Sequence, residues 1–216
     1  MNIRRFTNNT DAVKAIANEL RMFIEDNENP MWLLSGGSNI PIQIQVSKQL
    51  SDQQKKKLTV ALVDERFGEG SSFEQLKKSG FDFGTYGEVY NINSTAGDLE
   101  AAANEFDKYI TDAAANRTWF VQLGFGANGH VAGNVPETEV HDVVYDSKNI
   151  RAFVADDFKR ITLKEDFINK STKIVLFASG DKKIEKFEVL THAETTTPLK
   201  EVAHLHQTTT YLSEGA

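Results

Sequence analysis

The sequence predicts an α/β fold, a mainly parallel sheet flanked by helices on both faces and built as a single domain over residues 1–216. Three observations lead there. Short apolar runs such as MWLLS (31–35) and KIVLFAS (173–179) lack polar alternation, as strands covered on both faces do. Segments with helical periodicity separate these runs, which is the pattern of crossover connections between parallel strands. Glycine or charge clusters follow the runs, and in such folds ligands bind beyond the carboxyl ends of strands.

The elements follow in order. Val13, Ile16, Leu20 and Phe23 fall at helical spacing and predict an amphipathic helix over 11–28. MWLLS is a buried strand stopping at Gly36-Gly37; Ser38 or Asn39 then caps a helix through IPIQIQVSKQL, with Pro41 in its first turn. LTVALVDE (58–65) is a strand, SSFEQLKKSGF a short helix with a serine start, and GEVYNIN (87–93) a further strand. DLEAAANEFDKYITDAAAN (98–116) is a good helix former. WFVQLGF (119–125), NIRAFVA (149–155) and KIVLFAS read as strands, and DKKIEKFEVL and LKEVAHLHQ as helices. TTTYL reads as an edge strand. No linker, low-complexity tract or internal repeat interrupts the chain.

Composition narrows the function classes. A net charge of -7 disfavours nonspecific attraction to nucleic acid or an anionic membrane surface. It leaves room for an anionic substrate, because a few local cations outweigh a distant field. The absence of cysteine removes disulfides, thiolate nucleophiles and cysteine-based zinc sites. The first residues lack the apolar core of a signal peptide, and no stretch approaches membrane-spanning length, so the cytoplasm is expected. Histidine spacing supports no metal site, no cofactor is implied, and the oligomeric state is left open.

Four segments carry chemistry. LLSGGSNIP (33–41) is either a plain tight turn or an anion cradle, in which Gly36, Gly37 and Ser38 present backbone N–H groups at a helix N-terminus. VDERF (63–67) is either a solvated strand end or a site in which Asp64 orients or accepts a proton while Arg66 stabilises negative charge. LGFGANGHVAG (123–133) delivers His130 on a glycine-rich turn. Its imidazole titrates near neutrality and is the natural general base. Arg160 in FKRITL and Lys183 in ASGDKKIEKF are candidate cations; spacing alone does not separate Lys183 from a solvent-facing lysine.

LSGGS, VDER, GFGANGH, RITL and SGDKK resemble, in order and spacing, the motifs of the 6-phosphogluconolactonase family, related to the glucosamine-6-phosphate deaminases (isomerases). The resemblance spans nearly the whole chain and implies the Rossmann-like, sugar-phosphate isomerase type of α/β fold. It also implies a small sugar-phosphate substrate. Gly36, Gly37, Ser38, Arg160 and Lys183 would hold the phosphate. His130 would activate water on a lactone carbonyl, with Asp64 or Asn128 orienting it and Arg66 offsetting charge on the carbonyl oxygen.

Two departures stand out. The family's aspartate before Gly-His is Asn128 here, an amide that cannot take up a proton. After the histidine the chain reads VAGNVP, where lactonases read TASLFP and deaminases IAFNEP, so Val135 replaces a deaminase glutamate. Loss of two carboxylates weighs more against deamination than against lactone hydrolysis. The expected activity is hydrolysis of 6-phosphoglucono-δ-lactone to 6-phosphogluconate, a pentose phosphate step. Deamination or isomerisation of an amino-sugar phosphate, or binding of a sugar phosphate without turnover, are the alternatives.

Overall fold

The computed structural model describes residues 1–94, 97–155 and 158–215. Among these, eleven strands form two sheets. The larger sheet is wholly parallel. It comprises β1 (Asn2–Phe6), β2 (Pro30–Leu34), β3 (Thr59–Leu62), β5 (Glu88–Val89), β6 (Thr118–Leu123), β10 (Lys173–Ser179) and β11 (Thr208–Ser213), in the order β1-β11-β10-β6-β2-β3-β5. The smaller sheet is antiparallel. It comprises β4 (Asp64–Phe67), β7 (Asp142–Asp146), β8 (Ile150–Ala155) and β9 (Phe158–Leu163), in the order β4-β9-β8-β7.

Every residue of β2, β3 and β11 is buried, so both faces of the parallel sheet are covered. The cover comes from α1 (Asn9–Asp26), α2 (Ile40–Lys48), α5 (Leu99–Asn116), α7 (Asp181–His192) and α8 (Pro198–His204), while α3 (Asp52–Lys57) buries no residue. Helix α5 also packs against β7, β8 and β9, which joins the two sheets. Short polar side chains start several helices: Asn8 accepts from the Asp11 N–H at 2.9 Å, and Asp98 from the Ala101 N–H at 2.9 Å. Helices α4 (Ser72–Lys78) and α6 (Glu165–Ile168) are short connectors.

Several sequence expectations need correction. The predicted strand over 58–65 is two strands. It ends as β3 at Leu62, and Asp64 begins β4 in the other sheet. Val63 makes the joint: its N–H donates to the Leu34 carbonyl at 2.8 Å, and its carbonyl accepts from the Leu163 N–H at 2.8 Å. GEVYNIN contributes only Glu88–Val89 as strand, after which the chain turns into a 3₁₀ helix at Ile92–Ser94. TTTYL is internal, paired with β1 on one side and β10 on the other, and β1 takes the edge. Neither Ser38 nor Asn39 caps α2. A 3₁₀ turn over Gly37–Asn39 runs directly into it, so the chain is already helical at Asn39, whose side chain is buried.

Strand order reverses between β2 and β6. From β2 the chain builds outward through β3 and β5, then returns to the other side of β2 as β6 and continues through β10. The loops leaving β2 and β6 therefore part in opposite directions and leave a crevice at their carboxyl ends, where open α/β sheets bind ligands.

Candidate active site

At that crevice lies a cavity of about 330 Å³, lined among others by Gly36, Gly37, Ser38, Asp64, Arg66, His130 and Arg160. The parallel sheet supplies the glycine loop and the histidine. The antiparallel sheet supplies Asp64 and Arg66 from β4 and Arg160 from β9. The last three were expected at the ends of parallel strands; they come instead from within the second sheet.

The Gly36–Ser38 loop follows β2 and is exposed to the cavity from Gly37 onward. Gly37 has φ +64°, a left-handed conformation that a residue with a Cβ adopts at a cost. That torsion turns the chain abruptly from strand into the 3₁₀ turn.

The loop after β6 closes on itself: the Gly126 N–H donates to the His130 carbonyl at 2.9 Å and the Gly129 N–H to the Gly126 carbonyl at 3.1 Å. A Cβ on Gly126 would lie 2.1 Å from Cε1 and 2.4 Å from Nδ1 of His130, so only glycine lets the imidazole approach this backbone so closely. Beyond the histidine the loop is tied to β9. The Gly133 N–H donates to Thr162 Oγ1 at 3.0 Å, and Asn134 Nδ2 donates to the Leu163 carbonyl at 3.0 Å. Ala132, which also lines the cavity, takes φ +51°.

Asn128 does not line the cavity; it holds the histidine from behind. Its Oδ1 lies 2.6 Å from His130 Nδ1 and accepts from the His130 backbone N–H at 3.2 Å, while its Nδ2 donates to Glu139 Oε1 at 2.8 Å. With the amide oxygen facing Nδ1, that nitrogen carries the proton and Nε2 keeps its lone pair. Burial holds the imidazole pKa below its usual value. Arg160 and Lys183 push the same way, against Glu139. Burial thus favours the neutral ring, the state a base requires.

Asp64 is pushed up to about 6 by burial, which outweighs the opposing pull of Arg160 and Arg66. Its carboxylate lies 3.8 Å from the Arg160 guanidinium. Arg66 stacks over the Phe158 ring with its Cζ 3.8 Å from the centroid, and Arg160 approaches the same ring at 5.8 Å. Two guanidiniums against one carboxylate leave the cavity locally cationic in a chain that is anionic overall.

Glu65, between these residues in sequence, points the other way and is buried. It accepts from the backbone N–H groups of Arg66 (2.7 Å), Ser72 (2.6 Å) and Phe73 (2.9 Å) and from the Ser71 hydroxyl (2.9 Å). This carboxylate fixes the turn that brings Ser72 and Gln75 to the cavity wall. Lys183 stands outside that wall. Its Nζ donates to the Phe125 carbonyl and lies 4.1 Å from the Phe125 ring centroid, and burial lowers its pKa.

Sequence reasoning missed Ser72 and Gln75 on the cavity wall, Phe158 beside the two arginines, and Glu139 behind Asn128. The glycine run hinted at Gly126; Ser72 passed as an ordinary helix start. Among the described residues no helix is long and apolar enough to cross a membrane.

The fold is that of the sugar-phosphate enzymes the motifs suggested. It superposes on a 6-phosphogluconolactonase from Shewanella baltica OS155 with a TM-score of 0.80 at 18% identity, covering 100% of this chain and 98% of that one. A monomeric glucosamine-6-phosphate deaminase superposes with a TM-score of 0.74 at 17% identity, covering 99% and 97%. The same architecture thus serves proteins of both activities. A family model described as Glucosamine-6-phosphate isomerases/6-phosphogluconolactonase matches residues 7–211, and the chain belongs to this family. A glucosamine-6-phosphate deaminase of Lactococcus lactis subsp. cremoris (strain SK11) is 28% identical over 214 residues, 91% of this chain and 89% of its own.

Proposed function

We propose that this chain, acting as one domain in the cytoplasm, hydrolyses 6-phosphoglucono-δ-lactone to 6-phosphogluconate. The reading rests on one juxtaposition: a neutral imidazole with a free Nε2 shares a cavity with a glycine loop and two guanidiniums. Gly36, Gly37, Ser38 and Arg160 hold the phosphate, with Lys183 adding charge from behind the wall. His130 takes a proton from water as its oxygen adds to the lactone carbonyl, and Arg66 stabilises the oxyanion. When the tetrahedral intermediate collapses, the bond to the ring oxygen breaks. The imidazolium returns its proton to that oxygen, leaving the open-chain acid. Asn128, and Asp64 through Arg160, keep the participants aligned.

The test is hydrolysis of freshly generated lactone, corrected for spontaneous opening. His130→Ala should lose about 10²–10⁴-fold in kcat. Equal rates for the two proteins would overturn the mechanism.

A second reading, deamination or isomerisation of an amino-sugar phosphate, draws on the deaminase relatives and on Asp64, a carboxylate with a raised pKa on the cavity wall. Against it, Val135 stands where deaminases carry a glutamate and lines a neighbouring cavity with Glu137 and Glu165. Ammonia release from glucosamine 6-phosphate supports this second reading; its absence at high enzyme concentration disposes of it. Saturable sugar-phosphate binding without either turnover would mark a non-catalytic binder.

A further inference from the structure

We propose that Glu139 is a positioning residue that sets the tautomer of His130 through Asn128, an inference that deepens the histidine-base reading above and rests on it. An aspartate beside a histidine is an acceptor in either orientation. An asparagine is not: rotated by half a turn, its –NH₂ faces the ring and favours the tautomer with the proton on Nε2, which is useless as a base. Something must therefore choose the orientation of Asn128.

Two contacts do so. The His130 backbone N–H reaches Oδ1 at 3.2 Å, a long bond. Glu139 Oε1 accepts from Nδ2 at 2.8 Å, and a carboxylate accepts but never donates when ionised. The rotated amide would set its oxygen against that carboxylate and its –NH₂ against the backbone N–H, losing both bonds. The Glu139 bond is the shorter and carries a full charge, so it supplies most of the preference. Amide and carboxylate together thus do the work of a single aspartate. Glu139 comes from the 3₁₀ turn Glu137–Glu139, whose first residue is pinned by a bidentate ion pair from Arg151.

The tautomer can be read without turnover, from the ¹⁵N shifts and couplings of the His130 ring in the intact protein above its pKa. Wild type is expected to carry the proton on Nδ1 alone, and Glu139→Ala to show an added Nε2–H population. An unchanged tautomer in Glu139→Ala overturns the proposal, whatever the protein turns over. In lactone hydrolysis, Glu139→Ala should lower kcat roughly tenfold, the worth of one hydrogen bond to a charged group, with KM unchanged. Glu139→Gln, which still offers an acceptor oxygen to Asn128, should recover part of the loss.

The background decides between positioning and mere folding support. In Asn128→Asp the aspartate accepts from His130 unaided and faces Glu139 as a like charge. Removing Glu139 there should raise kcat instead of lowering it. An equal loss in both backgrounds would make Glu139 structural and sink the idea. If the ring behaves as expected but no lactone is hydrolysed, the positioning role stands and the proposed reaction fails.

Discussion

Arg66 and Arg160 are direct cross-strand partners in the antiparallel sheet, two guanidiniums paired between β4 and β9 beside the ring of Phe158. Like charges placed opposite one another destabilise a ladder. Here the pair is offset by one carboxylate, that of Asp64, and opens into the cavity that the glycine loop borders. On the proposed function, the substrate phosphate completes this arrangement.

It follows that inorganic phosphate or 6-phosphogluconate should raise the thermal midpoint logarithmically with concentration above Kd, adding about 2.7 kcal/mol of stability at a hundred times Kd. Arg160→Ala should abolish most of that rise. Differential scanning fluorimetry across a phosphate titration checks it; an equal shift in wild type and variant would place the anion elsewhere.

The pH profile follows from two shifts. Asp64 ionises near 6 and the His130 imidazole loses its proton below its ordinary value, so kcat/KM should be flat above about pH 7 and fall on the acid side. Arg160 lowers both pKa values, so Arg160→Gln should move the acid limb to higher pH. Initial rates on both proteins between pH 5 and 8 measure the displacement.

Asp64 also costs stability. Its folded pKa lies above the ordinary 3.8, so between that value and about 6 the folded protein holds a proton that the unfolded chain releases. Stability therefore falls as pH rises through this window and stays reduced above it. Asp64→Asn should melt higher than wild type at pH 7.5, with the advantage vanishing below about pH 4, while turnover drops. Melting curves at the two pH values test the sign.

Glu65 is a buried carboxylate whose pKa burial also raises, against the pull of its four donors. Glu65→Ala leaves those donors unsatisfied and should cost about 3 kcal/mol or more, read from the denaturant midpoint at unchanged m.

Gly126→Ala should separate folding from function. The backbone there tolerates alanine, but the new Cβ would occupy the space of the imidazole. Turnover should fall nearly as far as in His130→Ala while anion-induced stabilisation persists. Loss of both would mean that the loop as a whole had moved.

What the sequence disclosed, and what it hid, has physical reasons. The parallel strands were legible because burial on both faces leaves uninterrupted apolar runs, as in MWLL and IVLF. Of the antiparallel sheet NIRAFVA was legible as β8, but DVVYD and FKRITL were not: they mix charges with apolar residues because one face meets α5 and the other meets the cavity or solvent. VDERF looked like the frayed end of one strand because the change of sheet takes a single residue. TTTYL looked peripheral because threonine is polar. Its hydroxyls are buried nonetheless, that of Thr209 accepting from Asn2 at 3.1 Å and from Lys173 at 2.8 Å, partners that no local window reveals. His130, Asp64, Arg66, Arg160 and the glycine loop could be nominated because each sits in a short pattern whose chemistry is recognisable. Glu139 could not, since its meaning depends on an asparagine eleven residues away.

The joint at Val63 has a mechanical consequence. One residue is bonded to the parallel sheet through its N–H and to the antiparallel sheet through its carbonyl, and the next residue is Asp64. With no slack between them, Val63 is a rivet common to the two sheets. A ligand gripped by both should register as slowed amide exchange at the rivet, well away from the atoms it touches.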